Sequence, residues 1–267
     1  MKKKRLILFA WIVAVAIGIT FSLSPLSSQN DVSQIQTMDS GSPKAVIIDQ
    51  LYNEIPSKEF HDRVTEYLTD SGYKVDIYTT DEITIDFYKK LPSLNYEYIV
   101  VRSHALGEGM VDNSASLFTG EKYSDHKYIK EQFLGHIGKG IPILYGDMKK
   151  LTVEEIVNKA YYVIGSRFVE EVMIGDFKDS TIILAGCETA KDSQLAEAFL
   201  KRGASEVIGW TGLVDSSHNV SVVLDVMNKT LVNDIEIEDA LQSVMKDYEK
   251  RFFEPTNLVY FSNESNL

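Results

Sequence analysis

The chain has 267 residues, 44% of them hydrophobic and 25% charged, with a formal net charge of −12. Residues 1–30 hold four basic and no acidic side chains, so the rest of the chain stands at −16 rather than −12. A body this acidic repels phosphate backbones, which argues against a nucleic-acid partner, and a single cysteine forbids an intrachain disulfide.

Lys2-Lys3-Lys4-Arg5 precedes an uncharged apolar run from Leu6 to Leu23, 18 residues long. As a helix it would span roughly 27 Å, close to the thickness of a bilayer's hydrocarbon core. It exceeds the usual core of a cleaved signal, although Ser22-Leu23-Ser24 offers a small-x-small cleavage pattern. Residues 1–30 are therefore expected to be a signal anchor or signal peptide. The remainder is expected outside the cytoplasm, membrane-anchored by the N-terminal helix or secreted. Residues 31–43 read as a polar linker, and residues 44–267 as one domain with a full core. Sequons at Asn219, Asn228 and Asn263 fit an exported chain.

Lys44–Asp49 reads as a first buried strand. Ser57 caps a helix with Phe60, Val64, Tyr67 and Leu68 on one face, and Gly72 ends it. A second strand covers Tyr73–Thr79, a short helix Ile83–Leu91 stops at Pro92, and a third strand runs from Tyr96 to Ser103. From Ala105 to Ile141 the periodicity weakens among scattered glycines, which predicts long loops with at most a hairpin. Leu151–Ala160 reads as a helix capped by Thr152. Thr181–Ala185 is a fourth strand, followed by a helix from Ser193 that stops at Gly203, and Ser205–Trp210 a fifth strand. Asp215 or Ser216 caps a helix carrying Val220, Val223, Leu224 and Met227. Glu238–Tyr248 is the last helix, and Leu258–Phe261 a final strand. Strands alternating with helices predict an α/β fold with a mostly parallel central sheet covered on both faces.

Chemistry concentrates at two strand ends. Cys187 follows the run Thr181–Gly186, and His104 follows Tyr98-Ile99-Val100-Val101 through Arg102-Ser103. The carboxyl ends of strands are where open α/β sheets place ligands, and a cysteine with a histidine there is a candidate nucleophile and base. The structural alternatives are a buried core cysteine, an interchain partner, and an edge histidine satisfied by its neighbours. No histidine pair has zinc-ligand spacing with the cysteine. Gly107-Glu108-Gly109 is too short for a phosphate cradle. Neither a metal nor a cofactor is implied.

The run Ile183-Leu184-Ala185-Gly186-Cys187-Glu188-Thr189-Ala190 is followed by Leu195-Ala196-Glu197-Ala198-Phe199-Leu200 and Gly203-Ala204, then by Val207-Ile208-Gly209 and Val214-Asp215. Together with Ile237-Glu238-Asp239-Ala240-Leu241, these residues resemble the CHAT branch of the caspase-like cysteine peptidases. The resemblance covers roughly Thr181–Tyr248 and implies a caspase-like three-layer sandwich over 44–267. It also implies a Cys187–His104 dyad that cleaves peptide bonds in a peptide or protein substrate, with the Cys187 and Ala105 N–H groups meeting the oxyanion. Arg102, Ser103, Glu188 and Asp215 become possible substrate contacts, with a solvated strand end the alternative for the first two and helix capping for the two acids. Two positions depart from the family: Ala105 stands where glycine usually follows the histidine. Gly186 stands where basic-specific relatives carry aspartate, so no basic preference carries over. A catalytically inactive surface protein that binds a protein partner through the same cleft is the competing expectation.

Overall fold

The structure, a computed structural model, describes residues 41–107, 111–142, 152, 158–248 and 256–263. The apolar run Leu6–Leu23 and most of the helix expected over 151–160 lie outside the described residues. Among the described residues no helix is long and apolar enough to cross a membrane.

A six-stranded sheet forms the centre, in the order β10-β9-β8-β3-β1-β2. Its strands are β1 (Lys44–Asp49), β2 (Lys74–Thr79), β3 (Tyr98–Arg102), β8 (Ser180–Ala185), β9 (Ala204–Trp210) and β10 (Leu258–Ser262). All neighbours pair in parallel except β10, which runs antiparallel to β9. The fold is thus α/β with a mostly parallel sheet.

Parallel strands are apolar on both faces because helices must cover both, and here alternate residues enter two separate cores. Val46, Ile48, Ile99, Val101, Ile182 and Leu184 pack on one face against α2 (Ile85–Lys90), α4 (Ser166–Glu171) and α5 (Gln194–Lys201). Ala45, Ile47, Val100, Ile183, Ala185 and Ile208 pack on the other against α1 (Lys58–Asp70), α6 (Ser216–Met227) and α7 (Ile237–Tyr248). Local chemistry sets the helix starts: Ser57 Oγ accepts from Phe60 N at 3.2 Å, and Asp215 Oδ1 from Ser217 N at 2.9 Å.

The region predicted as loops is a second sheet. β4 (Ala105–Leu106), β5 (Ser116–Lys122), β7 (Tyr161–Ile164) and β6 (Ile137–Gly140) lie in that order, all antiparallel, with the short helix α3 (Ile129–Phe133) between β5 and β6. Its irregularity hid it from the sequence. The β5–β7 register shifts between Phe118 and Lys122, around Gly120. A Cβ at Gly120 would come within 1.6 Å of Thr80 O, so only glycine lets these backbones touch.

Candidate active site

β1 and β3 are neighbours, but β2 lies beyond β1 on one side while the chain continues past β3 on the other. The sheet order therefore reverses beside β3, where open α/β sheets form a crevice at their carboxyl ends. β3 pairs with β8 from Tyr98↔Thr181 to Arg102↔Ala185. His104 and Cys187 each lie two residues beyond that last pair, and adjacent strands stand about 4.8 Å apart. The two chains stay close past the ladder: a Cβ at Gly186 would meet Ser103 O at 2.6 Å and the Ala105 Cβ at 3.3 Å. Gly186 is thus required by the approach of the two strand ends.

His104 is fixed from three directions. Its N–H donates to Gln50 Oε1 at 3.0 Å, and its carbonyl accepts from Phe118 N at 3.1 Å. Its ring stands edge-on to Phe118, with centroids 5.8 Å apart, and Nε2 lies 3.1 Å from Glu54 Oε2. That contact holds the Glu54 carboxyl below its usual range, through the hydrogen bond first and then through the charges of His104, Lys159 and Lys122, against the opposing effect of burial.

Glu54 sits in the turn after β1, and a buried ionic cluster braces that turn. Arg102 is only 1% exposed, and its Nη1 donates to both oxygens of the fully buried Asp49 at 2.9 Å. Arg102 Nη2 donates to Ile55 O at 2.6 Å, while Asp49 also accepts from Leu51 N at 3.0 Å and pairs with His61 Nε2 at 2.8 Å. Arg102 therefore lies beneath the rim as a support, and Ser103, 2% exposed, is buried with it. Neither presents a side chain to an open cleft, which corrects their expected place as substrate contacts. His61 of α1 thus turns onto Asp49.

Cys187 is partly buried and exchanges long contacts with Val214: Sγ donates to Val214 O and accepts from Val214 N, both at 3.5 Å. Burial pushes the thiol above its ordinary range, the Val214 backbone opposes this, and the charges of Glu188 and Asp215 add to it. Glu188 adopts a left-handed backbone, with φ of 55°. Its carboxylate accepts from Gly107 N at 3.2 Å and pairs with Lys191 at 2.9 Å, tying the turn after Cys187 to the chain after His104. It does not cap α5. Asp215 caps α6, and its carboxyl is lowered by the Ser217 hydroxyl and by the backbone N–H groups of His218 and Ser217.

Two further residues hold the cysteine turn. Thr189 Oγ1 donates to Leu184 O and accepts from Trp210 N, both at 3.0 Å. Asn219 bridges Ala185 O at 2.9 Å and Trp210 Nε1 at 2.8 Å. Buried and bonded at both ends of its amide, Asn219 cannot carry a glycan despite its sequon. Glu54, Gln50, Asp49 and Thr189 escaped the sequence reading as site residues, since their partners lie far along the chain or on the backbone. Among the described residues no group of three or more His, Cys, Asp or Glu side chains is placed to hold a metal ion. The arrangement can present a thiol, an imidazole steered by a carboxylate, and backbone N–H donors at one rim. No protein-family model matches the chain, and no curated protein matches it significantly.

Proposed function

We propose that the chain is a cysteine endopeptidase of caspase-like, CHAT-type fold, exported and membrane-anchored or secreted through residues 1–30. One observation carries the reading: β3 and β8 are paired neighbours, so the only thiol and His104 leave the sheet on adjacent strands at its carboxyl rim, one strand from the β1/β3 point where its order reverses. Glu54 takes His104 Nε2, which leaves Nδ1 as the basic nitrogen for the thiol. Catalysis would then run by proton transfer from Cys187 Sγ to Nδ1, thiolate attack on the scissile carbonyl, and return of that proton to the leaving amine; a water deprotonated by Nδ1 would then cleave the thioester, releasing the acid and returning the proton to Sγ. The N–H groups of Ala105 and Cys187 receive the oxyanion. The departure at Gly186 leaves the residue preferred at the cleaved bond open, and Ala105 in place of the family's glycine is the sequence feature that favours the second reading.

A second reading is favoured by a specific observation. Cys187 Sγ is bonded to Val214 rather than to the imidazole, and its thiol is pushed up, as suits an inactive surface protein that binds a protein partner in this cleft. The test is cleavage of an unfolded protein substrate, with iodoacetamide labelling of Cys187 alongside. Cys187→Ala is expected to abolish cleavage with an unchanged circular dichroism spectrum, and His104→Ala to slow labelling. Full cleavage by Cys187→Ala ends the enzyme reading. Slow labelling that ignores His104, with no cleavage, supports the binding protein.

A further inference from the structure

The opposite end of the same strands opens into a cavity of about 250 Å³. Tyr98 heads β3, Thr181 lies at the start of β8, and both line it together with Tyr73, Glu206, Asp234 and Glu236. Its lining brings three carboxylates and no cationic side chain among the described residues. The volume is below the roughly 300–1,000 Å³ of pockets that enclose drug-sized molecules, which suits a small ligand or a single side chain.

Two observations separate this cavity from a merely acidic surface. The first is Tyr98, only 5% exposed, whose buried hydroxyl makes no hydrogen bond of normal geometry. The polar groups that act on that hydroxyl are Thr230, Glu206 and Tyr73, and all three line the cavity. A buried hydroxyl left without a partner costs about 1–3 kcal/mol, so a ligand that supplies one recovers affinity there. The second is Glu206. Its carboxylate is held by neutral donors, Thr181 Oγ1 at 2.7 Å and Tyr260 Oη at 3.2 Å, and neither supplies a positive charge.

The remaining walls fit the same demand. The Tyr73 and Tyr98 rings meet edge to face with centroids 6.0 Å apart, and phenol faces attract cations. Asp234, held in a left-handed conformation with φ of 55°, and Glu236 stand at the mouth, past the π-helical turn Asn228–Val232. No group of three or more His, Cys, Asp or Glu side chains is placed to hold a metal ion here among the described residues.

We propose that this cavity binds a small organic cation bearing N–H donors, an alkylammonium or guanidinium group, seated beside the paired Tyr73 and Tyr98 rings and against the Glu206 carboxylate. The group belongs either to a free amine or to a lysine or arginine side chain of a partner. The proposal is independent of the chemistry at Cys187.

Calorimetric titration of the full chain with n-butylguanidinium tests it. Saturable binding is expected, with a loss of about tenfold or more in Glu206→Gln, where a charge-assisted contact becomes a neutral one. Tyr98→Phe is expected to weaken binding about fivefold by removing the hydroxyl, and Glu236→Gln, at the exposed mouth, to weaken it by a smaller factor in a protein whose core is untouched. Tetramethylammonium, which lacks N–H groups, should bind at least about tenfold more weakly, and Cys187→Ala should change nothing. A short peptide with a central arginine separates the sources: tighter binding than butylguanidinium identifies a partner's side chain, weaker binding a free amine. Absence of saturable heat up to about 10 mM, an affinity weaker than roughly −2.7 kcal/mol, overturns the proposal. Equal affinity in folded Glu206→Gln and Glu236→Gln does so as well.

Discussion

All five residues of β3 are buried, whereas β6 buries Ile137 and Gly140 and leaves Gly138 and Lys139 partly exposed. The central sheet is held by hydrocarbon on both faces, while the four-stranded sheet buries Ser114, Ser116, Thr119 and His136 beside its apolar residues. Its cohesion comes from polar groups that reach between elements. Thr119 Oγ1 donates to Tyr162 O at 3.0 Å, and Tyr162 Oη to Ser124 O at 2.7 Å. The Asp112 carboxylate gathers the Ser166 hydroxyl at 3.1 Å and Arg167 N at 2.6 Å. The contrast teaches where the site is made. At their carboxyl ends the apolar strands give way to Asp49, Arg102 and His104, and there the central sheet adopts the polar manner of its neighbour.

The most severe way to break this contrast is Asp49→Ala. It strands the Arg102 guanidinium in the interior, and loss of one partner of a buried pair costs about 3–5 kcal/mol. Urea denaturation checks the figure; a loss near that of a surface pair would mean that Asp49 does not brace the rim. Next is Gly186→Ala, which drives a Cβ towards Ser103 O and is expected to cost about 2–3 kcal/mol. A matching rise in Cys187 labelling by iodoacetamide would show the two strand ends parting. Asp112→Ala in the polar sheet removes the acceptor shared by Ser114, Ser166 and Arg167, an expected loss of about 2 kcal/mol. Hydrogen exchange should rise first across β4–β7 rather than across β3 and β8.

Smallest, and sharpest for the site, is the pH dependence of Glu54. Its carboxyl is lowered in the folded chain, chiefly by the His104 hydrogen bond. Its contribution is therefore fully present above the unfolded glutamate value of about 4.3, and disappears as pH falls through the lower folded value. The stability difference between the wild type and Glu54→Gln should shrink between pH 6 and pH 3. Parallel urea midpoints at the two pH values would remove Glu54 as the partner of His104.

The extent of legibility follows the same division. Lys44–Asp49, Ser57 with its helix, Thr181–Ala185 and the Asp215 cap could be read locally, because an apolar run or a capping oxygen acts on its own neighbours. β5 and β7 could not be read that way. Their shifted register and the close approach of Gly120 to Thr80 depend on residues tens of positions away. Arg102 and Ser103 were read as possible cleft contacts or as a solvated strand end, yet a strand end can be buried when a turn folds over it, and Arg102 bonds to Ile55 O of such a turn.

By itself, the sequence determined the acidic character of the chain, the alternation of strand and helix, and the location of its sulfur and one imidazole at strand ends, because each depends on composition or short-range periodicity. Only tertiary structure decided that β3 and β8 are neighbours, that Glu54 meets His104, and that Arg102 is a brace. Pairing order and charge networks, buried for Asp49 with Arg102 and partly exposed for Glu54 with His104, join residues about 50 positions apart, and their energy exists only once the chain has closed those loops.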